Sequence, residues 1–300
     1  MKPGCREIVL SAGSKPIGFR EIRNNPSFRR SKWSPIFRIS FSYRFLLALP
    51  PPPGDGDPGR LRGRVSPLRP TGGAGLRVAI VVTSIGWIHH RRQRSGYCTE
   101  DAAVAFYGFM NAGIEVVFAS PAGGVVSAAP HVRGYHHNEH LIARFRQDRD
   151  ARSCLEDTVA LPKLFADDFD AVFYPGGPGA LFDLATDESS RALLEALFEA
   201  GRPMGFVGLG LSALMNARGS DGKLLLQGRK VAAPLEIDRQ FTDAPPHSLE
   251  PLEQTLEGLG AICTRGVRGS PHVEGERIIT GQNSHSSSAV VDRILSVLQL

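Results

Sequence analysis

From residue 76 onward, short apolar runs rich in β-branched residues alternate with segments of helical period. That alternation restricts the chain to a layered α/β sheet. Arg77 to Ser84 reads R-V-A-I-V-V-T-S, a run whose continuous apolar centre suits a strand buried on both faces. Thr99 is placed to cap a helix, with Glu100 and Asp101 complementing its N-terminal dipole. Ala103, Phe106, Tyr107 and Met110 then recur at helical spacing, and Gly113 ends the segment. Glu115 to Ser120 reads as the next strand, and a polar stretch over 121–160 follows. Further strands are predicted at Asp170 to Tyr174, Met204 to Val207, Arg229 to Ala233, Ala261 to Thr264 and Arg277 to Thr280. Helices are predicted around Leu193, Leu194 and Leu197, from Ser212, over 247–259 and over 286–298. Strands and helices in alternation imply right-handed crossovers and a doubly wound, mainly parallel sheet with helices on both faces. In such sheets ligands bind at the carboxyl ends of the strands. The loops Ile85 to Asp101, Pro175 to Gly179 and Gly208 to Ser212 are therefore the candidate site loops.

Residues 1–75 have a different character. They hold 14 Lys and Arg against 4 Asp and Glu, and 11 of the 22 prolines. The remaining residues hold 21 basic against 26 acidic side chains, so the formal net charge of +5 belongs to the first quarter of the chain. A basic whole-protein pI is thus no sign of nucleic-acid binding. Lacking periodicity, 1–75 reads as a basic Pro/Gly/Arg-rich tail, disordered or a misassigned start, with a weak likeness to an organelle transit peptide. The folded domain is assigned to 76–300. No run of 18 or more apolar residues is present, so no membrane-spanning helix and no membrane partner are expected. Cys5, Cys98, Cys154 and Cys263 form no C-x-x-C pair, which excludes a disulfide framework or cysteine zinc site and points to a reduced, cytoplasmic setting.

Chemistry concentrates in a few places. Tyr174-Pro175-Gly176-Gly177-Pro178-Gly179 follows a strand. Adjacent glycines let backbone approach a ligand, and their N–H groups can cradle an anion, but a tight strand-to-helix turn needs the same residues. His131, His136, His137 and His140 cluster with Glu139. His136 and His140 can share a helical face as a weak metal-binding pair, or belong to a solvated loop. His89 and His90 precede Arg91 and Arg92 in the first candidate loop, where they line a pocket entrance or face solvent. No cofactor-binding fingerprint is present.

Five ordered blocks carry a family resemblance. Phe169 to Leu184 resembles the D-A-V-F-Y-P-G-G-H-G segment of the DJ-1/PfpI superfamily, and of its Hsp31-like members with a type 1 glutamine amidotransferase-like domain. Gly96 to Pro121 resembles the G-x-x-x-E-E helix and the strand ending A-S-P. Leu155 to Leu161 is similar to L-x-D-T-x-x-L, Asp221 to Val231 to D-G-x-x-L-x-G-R-x-V, and Pro271 to Val291 to the P-H-V…I-T-G-Q-N-x-x-S-S block. The resemblance implies a flavodoxin-like sandwich. It also implies a cysteine on a strained strand-to-helix turn, the nucleophile elbow, contacted by a glutamate of the first helix. Such a thiol gains reactivity from a helix N-terminus and polar neighbours, beside an oxyanion hole of backbone N–H groups.

The chain departs from that pattern at the reacting positions. Arg202 to Leu214 aligns without a gap with K-P-V-A-A-V-C-H-G-P-A-V-L, which puts Gly208 at the cysteine, Leu209 at the histidine and Leu211 at the proline. The family glutamate falls on Asp101, with Glu100 just before it. Glycine has no attacking atom, and a general base cannot replace one. Ser212 lacks a G-x-S-x-G context. Cys98, three residues before Asp101, is the backup nucleophile candidate unless it is a buried inert thiol. Cys263 reads as core and Cys154 as part of a polar linker. His272 and Gln282-Asn283 follow family patterns that order loops. The expectation is a catalytically degenerate DJ-1/PfpI-like protein with a binding, scaffolding or chaperone-like stress role. Gly176, Gly177 and Glu100 are its candidate ligand-binding residues. Small carbonyl compounds or client proteins are its expected partners, and the resemblance implies a homodimer. The alternative is an active glutathione-independent glyoxalase converting methylglyoxal to D-lactate, or a hydrolase or deglycase, using a residue such as Cys98.

Overall fold

The first strand, β1 (Arg77–Val81), is flanked on both sides by other strands, which is why four of its five residues are buried. The structure, a computed structural model, describes residues 75–89, 92–130, 137–234, 252–267 and 269–300. The tail expected over 1–75 lies outside the described residues except for Gly75, as do His90, Arg91, His131 and His136.

After β1 come a short antiparallel ribbon, β2 (Trp87–Ile88) and β3 (Gln93–Arg94), then helix α1 (Thr99–Asn111) and β4 (Glu115–Ser120). Two helices follow, α2 (Glu139–Gln147) and α3 (Arg149–Glu156), and then β5 (Val159–Ala160) and β6 (Ala171–Tyr174). Helix α4 (Glu188–Glu199) leads to β7 (Met204–Val207). The last third holds β8 (Lys230–Ala232), α5 (Leu252–Gly258), β9 (Ile262–Thr264), β10 (Val273–Glu274), β11 (Ile278–Gly281) and α6 (Ser287–Val297).

Seven strands form one sheet in the order β10-β11-β7-β6-β1-β4-β5. Every pairing is parallel except β10 with β11. The doubly wound α/β expectation therefore holds, and the strand order reverses between β6 and β1. Two expected strands, β8 and β9, pair with each other as a separate parallel ribbon.

Alternate side chains assign the layers. Val78 and Ile80 face a cluster that includes Phe106 and Phe109 of α1 and Val290, Val291 and Ile294 of α6. Phe109 meets Phe173 edge-on at 6.3 Å. On the opposite face Tyr174 stacks on Phe206 at 5.2 Å, and its hydroxyl lies 2.9 Å from Ser190 Oγ of α4. Burial, helped by the Asp187 charge and opposed by the Ser190 hydrogen bond, raises the Tyr174 pKa, so the phenol stays neutral.

Three local expectations are corrected. The cap of α1 is Cys98, not Thr99, and no side chain accepts the free N–H groups there. Met110 turns outward at 46% exposure, while Ala103, Phe106 and Tyr107 are buried. The polar stretch contains two helices, so Cys154 lies on α3 rather than in a linker. Ile142, Phe145, Ala151 and Leu155 are the buried anchors of α2 and α3. Asp148 caps α3 by accepting the N–H groups of Asp150 and Ala151, and it also accepts the Tyr107 hydroxyl at 2.8 Å.

Candidate functional site

The carboxyl ends of β6 and β7 bring two turns side by side. After β6, Gly176 donates its N–H to Asp101 Oδ2 at 2.9 Å and offers its carbonyl to the Cys98 N–H at 2.7 Å. Gly177 takes φ +123°, and a Cβ there would come within 2.7 Å of Cys98 N and Tyr97 Cα. The glycine pair therefore lets the turn lie directly against the loop entering α1. The N–H of Gly176 is already committed to Asp101, so an anion approaching this turn would not find it free.

After β7 the chain turns sharply at Gly208, with φ +52°, and runs into a tight 3-10 segment over Gly208–Leu214. Ser212 lies in that segment, not in an α-helix, and its buried Oγ has no hydrogen-bond partner among the described residues. The bend expected of a nucleophile elbow is thus present at the position that lacks a side chain. A Cβ built on Gly208 meets nothing nearer than Gln282 O at 3.9 Å. Leu209 is 7% exposed and Leu211 fully buried, so an apolar side chain stands where the family pattern has its histidine proton carrier, and another where it has a proline.

Asp101 sits in the first turn of α1, fully enclosed. Besides the Gly176 N–H it accepts the Ser287 hydroxyl on Oδ1 at 2.9 Å. Burial pushes its carboxyl pKa up, against these hydrogen bonds and that of Ser284, which pull it down. Cys98 Sγ lies 3.4 Å from Ser284 Oγ. Burial and the nearby Asp101 charge push this thiol well above its ordinary pKa, so little thiolate forms at neutral pH. Cys154 and Cys263 are also raised by burial, Cys263 to about 11.

Glu100 points the other way from the same helical turn and is fully buried. Its Oε1 accepts the Asn138 N–H at 3.2 Å and Asn138 Nδ2 at 3.0 Å, and lies 2.9 Å from His137 Nδ1. The His137 ring stacks on His285 at 4.1 Å with planes 6° apart. Spacing in sequence offered no sign of this group, whose members come from three distant segments. His140, by contrast, is exposed on α2. Among the described residues no three His, Cys, Asp or Glu side chains converge as a metal site.

The remaining family-pattern residues hold loops. Gln282 Oε1 accepts the Gly266 N–H at 2.9 Å, and Asn283 accepts the His285 N–H at 3.2 Å. His272 Nε2 lies 2.8 Å from Thr264 Oγ1, while its backbone N–H donates to Ser286 Oγ. Sequence reasoning missed Asp183, which joins the turn after β6 to the end of β1. Thr83 Oγ1 lies 2.8 Å from its Oδ1, and the Ser84 and Leu184 N–H groups donate to it at 2.7 Å.

No protein-family model matches the chain. The fold is shared with glyoxalase III of Candida albicans, at 18% identity and a TM-score of 0.63 over 74% of this chain and 96% of that one. A second solved protein is 30% identical, with a TM-score of 0.65, over 75% of this chain and 99% of that one. The chain belongs to the DJ-1/PfpI superfamily. Among curated proteins, this DJ-1/PfpI chain is 31% identical over 130 residues to glutamine amidotransferase-like class 1 domain-containing protein 1 of Bos taurus. That match covers 42% of the chain, which spans about 58% of the length of the curated relative. Among the described residues no helix is long and apolar enough to cross a membrane.

Proposed function

We propose that this DJ-1/PfpI protein uses its elbow for noncovalent binding, in a scaffolding or chaperone-like stress role, and not for thiol catalysis. The observation that carries this reading is Gly208, which keeps the left-handed turn at φ +52° and presents no side chain. Covalent chemistry of the family kind needs an attacking atom there. Leu209 supplies no proton transfer, and Asp101 is occupied by Gly176 and Ser287. Small carbonyl compounds and partly unfolded client proteins are the proposed ligands, in a cytoplasmic homodimer.

The competing reading is a working glyoxalase with Cys98 as nucleophile, supported by the fold shared with glyoxalase III. The raised thiol pKa of Cys98 counts against it. Purified protein incubated with methylglyoxal is expected to form no D-lactate above background. Turnover comparable with a cysteine-bearing relative would overturn the proposal, and its loss in Cys98→Ser would assign the nucleophile. The double variant Gly208→Cys, Leu209→His is expected to gain measurable turnover. For the chaperone-like role, an equimolar amount of the protein is expected to suppress aggregation of a heated client; no protection removes that role.

A further inference from the structure

We propose that a cleft at the amino ends of β7 and β11, distinct from the elbow, binds a small phosphate monoester that carries hydroxyl groups, such as a sugar phosphate. The cleft has a volume of about 690 Å³. Among the described residues its lining brings together Phe198, Arg229, Lys230, Glu274, Glu276 and Arg277. That volume suits a small polar metabolite.

Its position is set by the central strands. Arg277 immediately precedes β11, and its carbonyl accepts the Met204 N–H at the entry to β7. The elbow lies at the other end of the same β7 strand. A ligand here therefore cannot share the elbow's contacts.

Among the described residues, the cations in this cleft lack the carboxylate partners that other basic groups have. Arg77 pairs with Glu115, Arg202 with Asp170 and Arg265 with Glu253. Arg229, Lys230 and Arg277 form no ion pair among the described residues. Arg229 is nevertheless held in place. Its Nε donates to Leu225 O at 2.8 Å, and its guanidinium lies over the Phe198 ring at 5.4 Å. A guanidinium fixed through Nε keeps its outer N–H groups for an anion at low entropic cost. Like-signed groups crowded in a concave surface raise the local attraction for a counter-charge.

The two carboxylates select within the anions. Glu274 turns towards His272, with Oε1 3.9 Å from Nε2, and Glu276 is exposed at the rim. Both would repel a polyanion such as nucleic acid, but both accept hydrogen bonds from hydroxyl groups. A phosphate at the arginines with hydroxyls at the glutamates satisfies both signs of charge.

The test is calorimetric titration of the full chain with glucose 6-phosphate, inorganic phosphate, gluconate and glucose. Glucose 6-phosphate is expected to bind saturably and more tightly than gluconate or inorganic phosphate, and glucose is expected not to bind. Lys230→Gln with Arg277→Gln, both on exposed side chains, is expected to weaken glucose 6-phosphate about tenfold or more, the loss of charge-assisted hydrogen bonds. Glu276→Gln is expected to strengthen inorganic phosphate by removing a repulsive charge, whether or not the double variant folds. Gly208→Cys is expected to leave this binding unchanged, which separates it from the elbow. No saturable binding of glucose 6-phosphate, equal binding of gluconate, or affinity unaltered by both cleft variants overturns the proposal.

Discussion

The Asp101 carboxylate accepts the N–H of Gly176 at 2.9 Å, tying the first turn of α1 to the turn after β6. With the Ser287 hydroxyl on its other oxygen, Asp101 pins three segments together behind the elbow. Asp101→Ala leaves a backbone N–H and a hydroxyl without an acceptor in a buried place. The expected loss is about 2–4 kcal/mol, since each stranded donor costs about 1–3 kcal/mol. Urea unfolding measures it, and an unchanged midpoint would show that water satisfies both donors.

Gly177→Ala is expected to be far more damaging than the same change at Gly113. Both glycines have positive φ, +123° and +75°. At Gly113 nothing lies within 4 Å of the added carbon, so only the backbone preference is lost, about 1 kcal/mol. At Gly177 the methyl meets Tyr97 and Cys98 backbone at 2.7 Å, which forces the turn away from the α1 entry loop. A loss above about 3 kcal/mol, or failure to fold, is expected from overpacking against backbone. Equal melting temperatures for the two variants would contradict this geometry.

Gly208→Cys is expected to fold, because the nearest atom to the added Cβ is 3.9 Å away. The left-handed φ costs a non-glycine residue about 1–2 kcal/mol. The native thiols at Cys98, Cys154 and Cys263 all have raised pKa values. Iodoacetamide at neutral pH, read by peptide mass spectrometry, is therefore expected to label position 208 before Cys98, Cys154 and Cys263. Faster labelling of Cys98 would show that its thiolate is more available than its burial allows.

Asp183 makes stability depend on pH in an unusual direction for a carboxylate. Burial raises its pKa from 3.8 to about 6, despite the Thr83, Ser84 and Leu184 hydrogen bonds that favour the ionised form. The folded state thus binds the proton more tightly than the unfolded chain. Its contribution is fully present below about pH 4 and lost as pH rises through about 6. After allowance for partial exposure the swing is about 1–2 kcal/mol. Unfolding midpoints of Asp183→Asn across this window are expected to decline less with pH than those of the unsubstituted protein. Parallel curves would assign the dependence to another group.

The sheet was legible because its signal is local. Val78, Ile80 and Val82 need no distant partner to read as a buried strand, and all three pack in the core facing α1 and α6. The gap-free alignment of Arg202 to Leu214 also placed Gly208 at a sharp bend after β7, where it lies. The helices α2 and α3 were hidden because their burial rests on a few anchors, Ile142, Phe145, Ala151 and Leu155, among charged neighbours. The cap at Cys98 was missed because Thr99 has the better capping chemistry, yet the Cys98 backbone is the one drawn to Gly176.

Sequence alone thus determined the central strands of the sheet, the α/β class and the absence of a side chain at position 208, since each depends on residue type and near spacing. Tertiary structure decided that Asp101 serves Gly176 and Ser287, 75 and 186 residues away. It also decided that Glu100 is held by His137 and Asn138, and that Arg229, Lys230 and Arg277 share one cleft. Hydrogen bonds and charges act through space over a few ångströms, and only the folded sheet with its packed helices brings such distant segments that near.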